Sequence, residues 1–303
     1  DGLVESTETK VDFVTVTVMP RVIWVSVDGG EDGDGSAENP FNTIQGGIND
    51  AVDGDTVRVH PGGYTENIDF TGKAIAVISS YGPDVTIIYG GDMGSVVTFQ
   101  SGEDQLSLLA GFTITGGDAE QGGGIYCSGS SPRLEDLAIK GNEADYGGGI
   151  YMANSVSKLT RVLISGNKAN QNGGGLRLDE SVPEFLNVTI VANMGVDGGG
   201  IFVSNMFDNG EVTFVNSIIW GNDNYQLSFV EANSYSRIHF GYTVVQDGVL
   251  GINNYGGYGH FNEESLHLTA SPLFVEPIYP NWNDPPSNDG DFHLTSISPC
   301  IDA

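Results

Sequence analysis

The chain has 303 residues, with 11 Lys and Arg against 40 Asp and Glu, which gives a formal net charge of −29 at pH 7. Nucleic-acid binding needs an excess of basic side chains to displace phosphate counterions, so this charge excludes a nucleic-acid partner and equally disfavours an anionic membrane surface. Apolar residues make up 39% of the chain, enough for a packed core, yet no continuous apolar run is long enough to span a bilayer.

The N-terminal third contains short segments with strand-like alternation around one predicted helix. Residues 11–18 alternate in this way and predict an added strand ahead of the helix. The helix is predicted over 42–52, where Asn42 or Thr43 can cap its first turn and apolar residues share one face. We expect it to cover the first coil, which would otherwise expose strand edges and core. Further strands are predicted at 56–60, 74–78, 85–89 and 95–99.

The middle of the chain repeats with a period of about 25 residues. Three glycines followed by Ile or Leu occur four times, at steps of 25, 26 and 25 residues, and they begin at Gly122, Gly147, Gly173 and Gly198. An asparagine follows each glycine block, at Asn142, Asn167, Asn193 and Asn222, with apolar residues three and eight places before it. Because apolar residues alternate within a unit that has no room for a long helix, each unit is predicted to be one coil of a parallel β-solenoid.

These columns predict how the coils stack and where the domain ends. Successive coils are expected to lie about 4.8 Å apart, the spacing of paired strands. The asparagine column suits a corner, since Asn tolerates the left-handed backbone region and stacked amides can form a hydrogen-bonded ladder. The glycine blocks suit tight corners. We expect a single domain over 1–303, with a cap and first coil at 1–55, regular coils at 56–245 and irregular coils at 246–303, closing on a strand at 292–294.

Several motifs resemble a known group of proteins. Residues 28–45 (DGGEDGDGSAENPFNTIQ) and 54–66 (GDTVRVHPGGYTE) resemble the entry region of secreted right-handed parallel β-helix proteins of the pectin-lyase-like superfamily. The Gly-Gly-Gly-Ile and Ile-x-Gly-Asn repeats resemble the middle coils of that family. They also resemble the Gly-Gly-Ala-Ile and Phe-x-x-Asn repeats of polymorphic outer-membrane adhesins. Residues 292–294 (FHL) and 298–303 (SPCIDA) are similar to the closing segment of large bacterial surface and secreted β-helix proteins.

The resemblance implies an all-β, right-handed parallel β-helix with a short N-terminal capping helix and strand, secreted or at the cell surface. The chain opens at Asp1 without a charged and apolar leader, so we expect any signal peptide to be absent from this sequence. Lyases, hydrolases, epimerases, adhesins and structural fibres all use this fold, so the resemblance does not select a function.

The candidate catalytic residues are Lys140, Arg161 and Asp136. Lyases of this fold use Lys or Arg as the base and neutralise the uronate carboxylate with Ca²⁺ or a further Arg, so the resemblance directs attention to basic residues. The repeat places Asp136 and Arg161 in one outward column and Lys140 in another, on adjacent coils. The alternative interpretation is a surface ion-pair patch. Signatures of polygalacturonase-type hydrolases are absent from the sequence.

Two other groups are candidates for ligand binding. The acidic loop carries carboxylates between glycines and is a candidate Ca²⁺ site; the alternative is a solvated acidic loop. Its ligands would be Asp28, Asp32, Asp34 and Glu38, with Glu31 beside them. A second, weaker cluster comprises Asp284, Asp289 and Asp291. No His and Cys constellation suggests a transition metal, and no organic cofactor is expected.

An outward column of aromatic residues is the candidate substrate-binding surface. It comprises Tyr126, Tyr151, Arg177 and Phe202, each directly after the inward Ile or Leu of its coil. Sugar rings stack on such faces, whereas the alternative is a shielded stripe of ordinary aromatic packing. Cys127 falls on the neighbouring inward column and is predicted to be a buried small hydrophobe.

Three functions stay open at this stage. The leading hypothesis is a secreted or cell-surface β-helix that binds or scaffolds without catalysis, as an adhesin, envelope component or carbohydrate-recognition module with a polysaccharide partner. The second is a polysaccharide lyase or epimerase that acts on an acidic glycan. The third is an extracellular fibre subunit that self-associates through the solenoid ends or the 11–18 strand.

Overall fold

The computed structural model describes residues 19–204, 210–230, 237–255, 260–261, 271–276, 291–296 and 298. One helix, α1 (Ile44–Asp50), and one 3₁₀ turn (Gly248–Gly251) accompany the strands. No helix in these ranges is long and apolar enough to cross a membrane. The strands are β1 (Val22–Gly30), β2 (Thr56–Val59), β3 (Gly62–Thr65), β4 (Ile68–Asp69), β5 (Ala76–Ser79), β6 (Thr86–Tyr89), β7 (Val97–Phe99), β8 (Leu108–Ala110), β9 (Thr113–Thr115), β10 (Asp118–Gln121), β11 (Ile125–Ser128), β12 (Arg133–Lys140), β13 (Glu143–Tyr146), β14 (Ile150–Ala153), β15 (Lys158–Ser165), β16 (Lys168–Asn172), β17 (Leu176–Asp179), β18 (Glu184–Leu186), β19 (Thr189–Val191), β20 (Met194–Asp197), β21 (Ile201–Ser204), β22 (Glu211–Val215), β23 (Ile218–Trp220), β24 (Leu227–Val230), β25 (Arg237–Gly241), β26 (Val244–Val245), β27 (Ile252–Tyr255), β28 (His260–Phe261), β29 (Phe274–Glu276) and β30 (Asp291–Leu294).

These strands wind into a parallel β-solenoid, as the repeat predicts. One face is an eight-stranded parallel sheet in the order β4-β7-β11-β14-β17-β21-β24-β27, and a second is a four-stranded sheet, β10-β13-β16-β20. Of the other strands in the described residues, sixteen form one sheet that bends along its length, and β29 and β30 pair separately. Beyond the bend the strands follow one another in the order β3, β6, β9, the second halves of β12 and β15, and then β19, β23 and β26. We call this series of strands the groove face.

The bend is set by a column of residues in the left-handed backbone region. Asp136, Arg161, Asn187 and Asn216 have φ values of 52°, 55°, 55° and 49°. Asp and Asn tolerate this conformation, whereas a bulky residue such as Arg pays a conformational cost there. The outward column that the repeat predicts is therefore confirmed, and it marks the edge of the groove face.

The core consists of columns in which apolar side chains occupy the same inward position on successive coils. The register pairs Leu134 with Leu159, Leu159 with Phe185 and Phe185 with Phe214. The last two rings stack with centroids 4.3 Å apart and planes 5° from parallel. These side chains are buried, and full burial of each contributes about 1.5–3 kcal/mol relative to exposure. Packing along the axis, rather than any single coil, stabilises the fold.

The asparagines form a buried amide ladder. Nδ2 of each one donates to Oδ1 of the next, at 3.0 Å for Asn142 to Asn167, 3.0 Å for Asn167 to Asn193 and 2.9 Å for Asn193 to Asn222. Asn222 donates in turn to Oε1 of Gln226 at 2.9 Å, and Gln226 donates to Oε1 of Gln246 at 3.4 Å, which ends the ladder. The predicted ladder is thus present, with an end residue that the sequence analysis missed.

The predicted reason for Asn at the corner is only partly right. The preceding residue, not the asparagine, takes the left-handed conformation, as Gly166 (φ 60°) and Ala192 (φ 57°) do. The asparagine is required at this position for its side-chain amide, which forms the ladder. The glycine blocks and the asparagines recur with the same period because they contact each other: a Cβ at Gly149, the third glycine of its block, would stand 3.0 Å from Nδ2 of Asn167. The glycine block and the ladder therefore occupy one corner that admits no added side chain.

The N-terminal cap is shorter than the prediction of 42–52. Thr43, one of the two predicted caps, accepts a hydrogen bond from the Gly46 N–H at 3.1 Å. Ile44 and Ile48 are fully buried, and α1 contacts β1, β2 and β4. The helix ends at Asp50 because Ala51 is extended. The strand predicted at 11–18 and self-association through it lie outside the described residues, so both stay predictions.

A buried carboxylate fixes the chain after α1. Asp55 is 1% exposed and accepts hydrogen bonds from the backbone N–H of Arg21 at 2.7 Å and of Val52 at 3.1 Å. The Arg21 guanidinium adds a bond at 3.0 Å. Burial raises the pKa of Asp55, but these hydrogen bonds lower it by more, so the pKa lies below its usual range.

The predicted closing strand exists as β30, but it joins none of the solenoid sheets. It pairs antiparallel with β29, and we call this pair the hairpin. Phe292 and Phe274 meet edge to face, with centroids 5.5 Å apart, and both pack on Val191 and Ile218. The hairpin therefore covers the outer side of the groove face over β19 and β23.

Candidate functional site

A groove of about 590 Å³ runs along the groove face. Outward residues of successive strands form its floor, and the register pairs each with the next. The floor column is Ile87, Thr113, Ala138, Leu163 and Thr189. At about 4.8 Å per strand, these five positions span about 19 Å. A groove of this volume is large enough for a small ligand or a short polymer segment.

One rim of the groove is the bend column. Arg161 donates to Asp136 through Nε at 2.6 Å and through Nη2 at 2.9 Å, which is a bidentate pair across adjacent coils. Glu135 lies 3.7 Å from the same guanidinium. The hydrogen bond from Arg161 to Asp136 raises the pKa of the guanidinium above its usual value. Arg161 is therefore a fixed cation that cannot give up a proton, and Asn187 continues the rim.

Lys140 lines the other side of the groove. It stands in register with Ser165, followed by Val191 and Trp220, as the repeat predicts. No carboxylate in the described part of the chain forms an ion pair with its ammonium group. The three candidate catalytic residues Lys140, Arg161 and Asp136 thus line one groove, while a catalytic role for them stays a prediction.

The hairpin contributes two polar side chains that sequence reasoning did not place at this site. Asp291 and His293 lie two residues apart in β30 and both line the groove. Nδ1 of His293 is 2.6 Å from the Asp291 carboxylate, which also accepts the His293 backbone N–H at 2.9 Å. The backbone hydrogen bond is the main cause that lowers the pKa of Asp291. The His293 side chain is 88% exposed, so its ring is free to meet a ligand.

The aromatic column has the predicted register but little exposed ring surface. Tyr126 stacks on Tyr151, with centroids 5.8 Å apart and planes 9° from parallel. Tyr151 and Phe202 are each only 7% exposed. Arg177 lies over the Phe202 ring at 5.2 Å and pairs with Asp179 at 3.0 Å. The column therefore packs as a shielded stripe at Tyr151 and Phe202. Stacking of a sugar on the column stays a prediction, and Tyr126 is its one aromatic residue with more than a small exposed fraction.

Tyr151 and Asp179 complete the polar side of this stripe. The Tyr151 hydroxyl donates to Asp179 at 2.8 Å. Burial, and then the Asp179 carboxylate, raises the pKa of Tyr151 well above its usual value. Ser204 also donates to Asp179. Because the polar ends of these side chains are already paired, the stripe stabilises the stacking of coils.

The acidic loop is held by its own hydrogen bonds. Asp34 accepts the Ser36 N–H at 2.9 Å, and the Ser36 hydrogen bonds hold the pKa of Asp34 below its usual range. Asn39 donates to the Asp32 carbonyl at 3.1 Å. Asp28 and Glu38 are exposed, and no group of three or more His, Cys, Asp or Glu side chains converges anywhere in the described ranges. Calcium binding stays a prediction without a converging ligand set; Asp284 and Asp289 lie outside the described residues.

Cys127 is buried, as predicted, in register with Met152. Its Sγ lies 3.1 Å from the Ser130 carbonyl, and burial raises the pKa of the thiol to about 11. A thiol with this pKa is not a nucleophile at neutral pH.

The comparisons with known proteins agree with this architecture. A family model described as "Right handed beta helix region" matches residues 78–242, more than half of the chain, and the chain belongs to that family. The right-handed winding expected from the sequence resemblance is thereby confirmed. No curated protein matches the chain in sequence.

Solved structures with a similar fold include three that carry enzyme names. A pectin methylesterase from carrot has a TM-score of 0.50 and 14% identity, with 82% of each chain covered. Pectate lyase Pel9A has a TM-score of 0.48 and 13% identity, with 94% of this chain and 92% of that chain covered. A rhamnogalacturonan lyase has a TM-score of 0.43 and 11% identity, with 74% and 68% covered. At these identities the likeness concerns the fold alone.

Proposed function

We propose that this protein binds an acidic polysaccharide in the groove without changing it chemically, as a secreted or cell-surface binding module. The observation that carries the proposal is the unpaired ammonium group of Lys140 beside a groove whose other cation, Arg161, is already neutralised. A ligand that presents a carboxylate to Lys140 would neutralise the cation of this groove that has no ion-pair partner among the described residues. Adhesin and envelope roles are forms of the same binding function.

The composition of the groove supports a sugar ligand. Its floor combines aliphatic side chains with Thr189, and its rim offers amide and carboxylate groups from Asn187, Asp84 and Asp136. A pyranose ring has apolar faces and a perimeter of hydroxyl groups, so it suits a site that pairs an apolar floor with a few placed polar groups. The carboxylates would accept hydrogen bonds from hydroxyl groups, and Lys140 would donate to a uronate.

The net charge of −29 does not prevent this binding. At physiological ionic strength the Debye length is about 8 Å, so exposed carboxylates farther from the groove are largely screened. Within the groove Arg161 is paired with Asp136, and Lys140 is the cation without an ion-pair partner in the described part of the chain, whereas the Asp84 carboxylate also lines the groove. We therefore expect affinity to fall on removal of Lys140 and not on removal of a lysine elsewhere.

Binding isotherms on pectate, alginate, ulvan and chondroitin sulfate test the proposal. We expect one of these polymers to bind, and Lys140→Met to weaken that binding at least about tenfold, the value of a hydrogen bond to a charged group. Lys158→Met is the matched control, because Lys158 lies outside the groove and pairs with Glu184 at 2.9 Å. Equal affinity for Lys140→Met and wild type, or no binding to any polymer, would overturn the proposal.

A second candidate function is β-elimination, and the His293–Asp291 pair favours it. A base would take the proton next to the uronate carboxylate, and the electron pair would form the new carbon–carbon double bond. The carbon–oxygen bond to the neighbouring sugar would break, and its oxygen would leave as a hydroxyl after taking a proton from water. The two hydrogen bonds from Arg161 to Asp136 stabilise the protonated guanidinium and disfavour Arg161 as that base, which leaves His293 or Lys140. Absorbance of unsaturated uronates on the same panel tests this. An increase in absorbance with the wild-type protein that is lost in His293→Ala would establish elimination, and no increase with the wild-type protein would exclude it for these substrates.

A further inference from the structure

We propose that the groove is closed at one end by the hairpin and accepts only the terminus of a polysaccharide chain. This inference rests on the proposed function, since it specifies how the same groove would bind its ligand. The physical basis is the path of the floor column, which the hairpin covers at one end and which the described residues leave uncovered at the other.

The closed end lies at β23. The register continues the floor column from Thr189 to Ile218, but Ile218 is buried beneath Phe274 and Phe292. The parallel column that contains Lys140 ends in the same way, because Val191 is fully buried by the same packing. Both columns of the groove face therefore pass under the hairpin, and a polymer lying on the floor cannot continue past Thr189.

The opposite end lies at β6. Ile87 is among the exposed large apolar residues of the surface. Its register partner on the preceding coil is Gly63, where an added Cβ would meet no atom of the described residues within 4 Å. The floor narrows at Thr113, which is 5% exposed and donates to the Pro83 carbonyl at 2.8 Å. A chain that passes this point can continue over Gly63, so within the described residues the hairpin closes one end and nothing covers Gly63 at the other.

The hairpin that closes this end carries two polar residues next to Phe292, and both line the groove. Asp291 is a hydrogen-bond acceptor, and His293 offers an exposed ring held by its contact with Asp291 at 2.6 Å. A terminal sugar has one more free hydroxyl group than an internal sugar, because no glycosidic bond occupies that oxygen. Asp291 and His293 would bind this additional group, whereas an internal segment would place its next sugar against Phe292.

The number of protein molecules bound per polysaccharide chain separates end binding from internal binding. Size fractions of the polymers in the panel, from short oligomers to long chains, would be titrated calorimetrically at equal concentration of chains. We expect one protein per chain at every length. A stoichiometry that rises with chain length would overturn the inference while leaving the proposed function intact, and absence of binding at all lengths would overturn both.

Two variants test the hairpin itself. Phe292→Ala removes the ring that holds the hairpin on Ile218 and is expected to raise the stoichiometry on long chains above one. The double variant Asp291→Ala/His293→Ala keeps Phe292 and is expected to keep one protein per chain with affinity at least about tenfold lower. If Phe292→Ala fails to fold, the double variant still decides the matter, because unchanged affinity for short oligomers would contradict binding of the terminus by these groups.

Discussion

Replacement of Asn167 by alanine tests the amide ladder, and the structure fixes the size of the expected effect. Oδ1 of Asn167 accepts the Asn142 backbone N–H at 3.1 Å and the Asn142 side-chain amide at 3.0 Å. Its own amide donates to the Ile139 carbonyl at 2.9 Å and to Asn193. Loss of the side chain leaves the buried Asn142 N–H without an acceptor and removes one acceptor of the Asn142 side-chain amide, which keeps the Ile114 carbonyl at 3.1 Å. At about 1–3 kcal/mol for an orphaned donor, and less for the amide, we expect a loss of about 3 kcal/mol of unfolding free energy.

Position in the ladder supplies the control. Asn142 is the first amide, and its Oδ1 accepts only the Gly117 N–H, so Asn142→Ala orphans one donor and is expected to cost about half as much. Asn170→Ala, at an exposed site with a weak 3.4 Å contact to Asp145, is expected to change the free energy by less than about 0.5 kcal/mol. Urea unfolding followed by circular dichroism measures all three. A loss for Asn142→Ala equal to that for Asn167→Ala would refute the reasoning.

Three further predictions concern single groups. Arg161 has φ 55°, so Arg161→Gly is expected to be about 1 kcal/mol more stable than Arg161→Ala in urea unfolding; the reverse order, normal for strands, would contradict the strained backbone. The folded pKa of Asp55 lies below its unfolded value, so its contribution is present above about pH 4 and is lost as the pH falls through the folded pKa. Asp55→Asn should therefore lower the melting temperature at pH 7 and approach wild type in acid, and a constant difference across pH would count against it. Cys127, with a thiol pKa of about 11, should not react with a thiol reagent at neutral pH in a Cys300→Ser background until the protein is unfolded; rapid reaction of the native protein would disprove its burial.

The stacking of coils could be predicted because each coil repeats the same residue types at the same positions. The asparagine column, the apolar columns and the pairing of Tyr126 with Tyr151 all follow from the period alone, since parallel strands in register place equal positions side by side. The adjacency of Asp136 and Arg161 follows for the same reason, and it became a bidentate ion pair in the structure.

The hairpin could not be predicted in this way. Phe292 packs against Ile218 across a long stretch of sequence that has no repeat, so no period relates the two residues. The sequence left open whether the outward aromatic column is exposed or shielded, because the period does not show how the side chains pack. Tyr151 and Phe202 point away from the interior, as the alternation indicates, but stacking with neighbours of the same column and with Arg177 leaves them little contact with solvent.

Stacking in register also limits how the length of the binding surface can change. Glu143 and Lys168 occupy equal positions on adjacent coils, so removal of residues 143–167 would join Asn142 directly to Lys168. The amide ladder, the bend and the floor would each lose one member and stay continuous, and the groove would shorten by one strand spacing, about 4.8 Å. Smaller differences in coil length are tolerated, as the glycine steps of 25, 26 and 25 residues show, but they add no strand to the floor. The reach of this surface along a ligand is thus variable only in units of a whole coil.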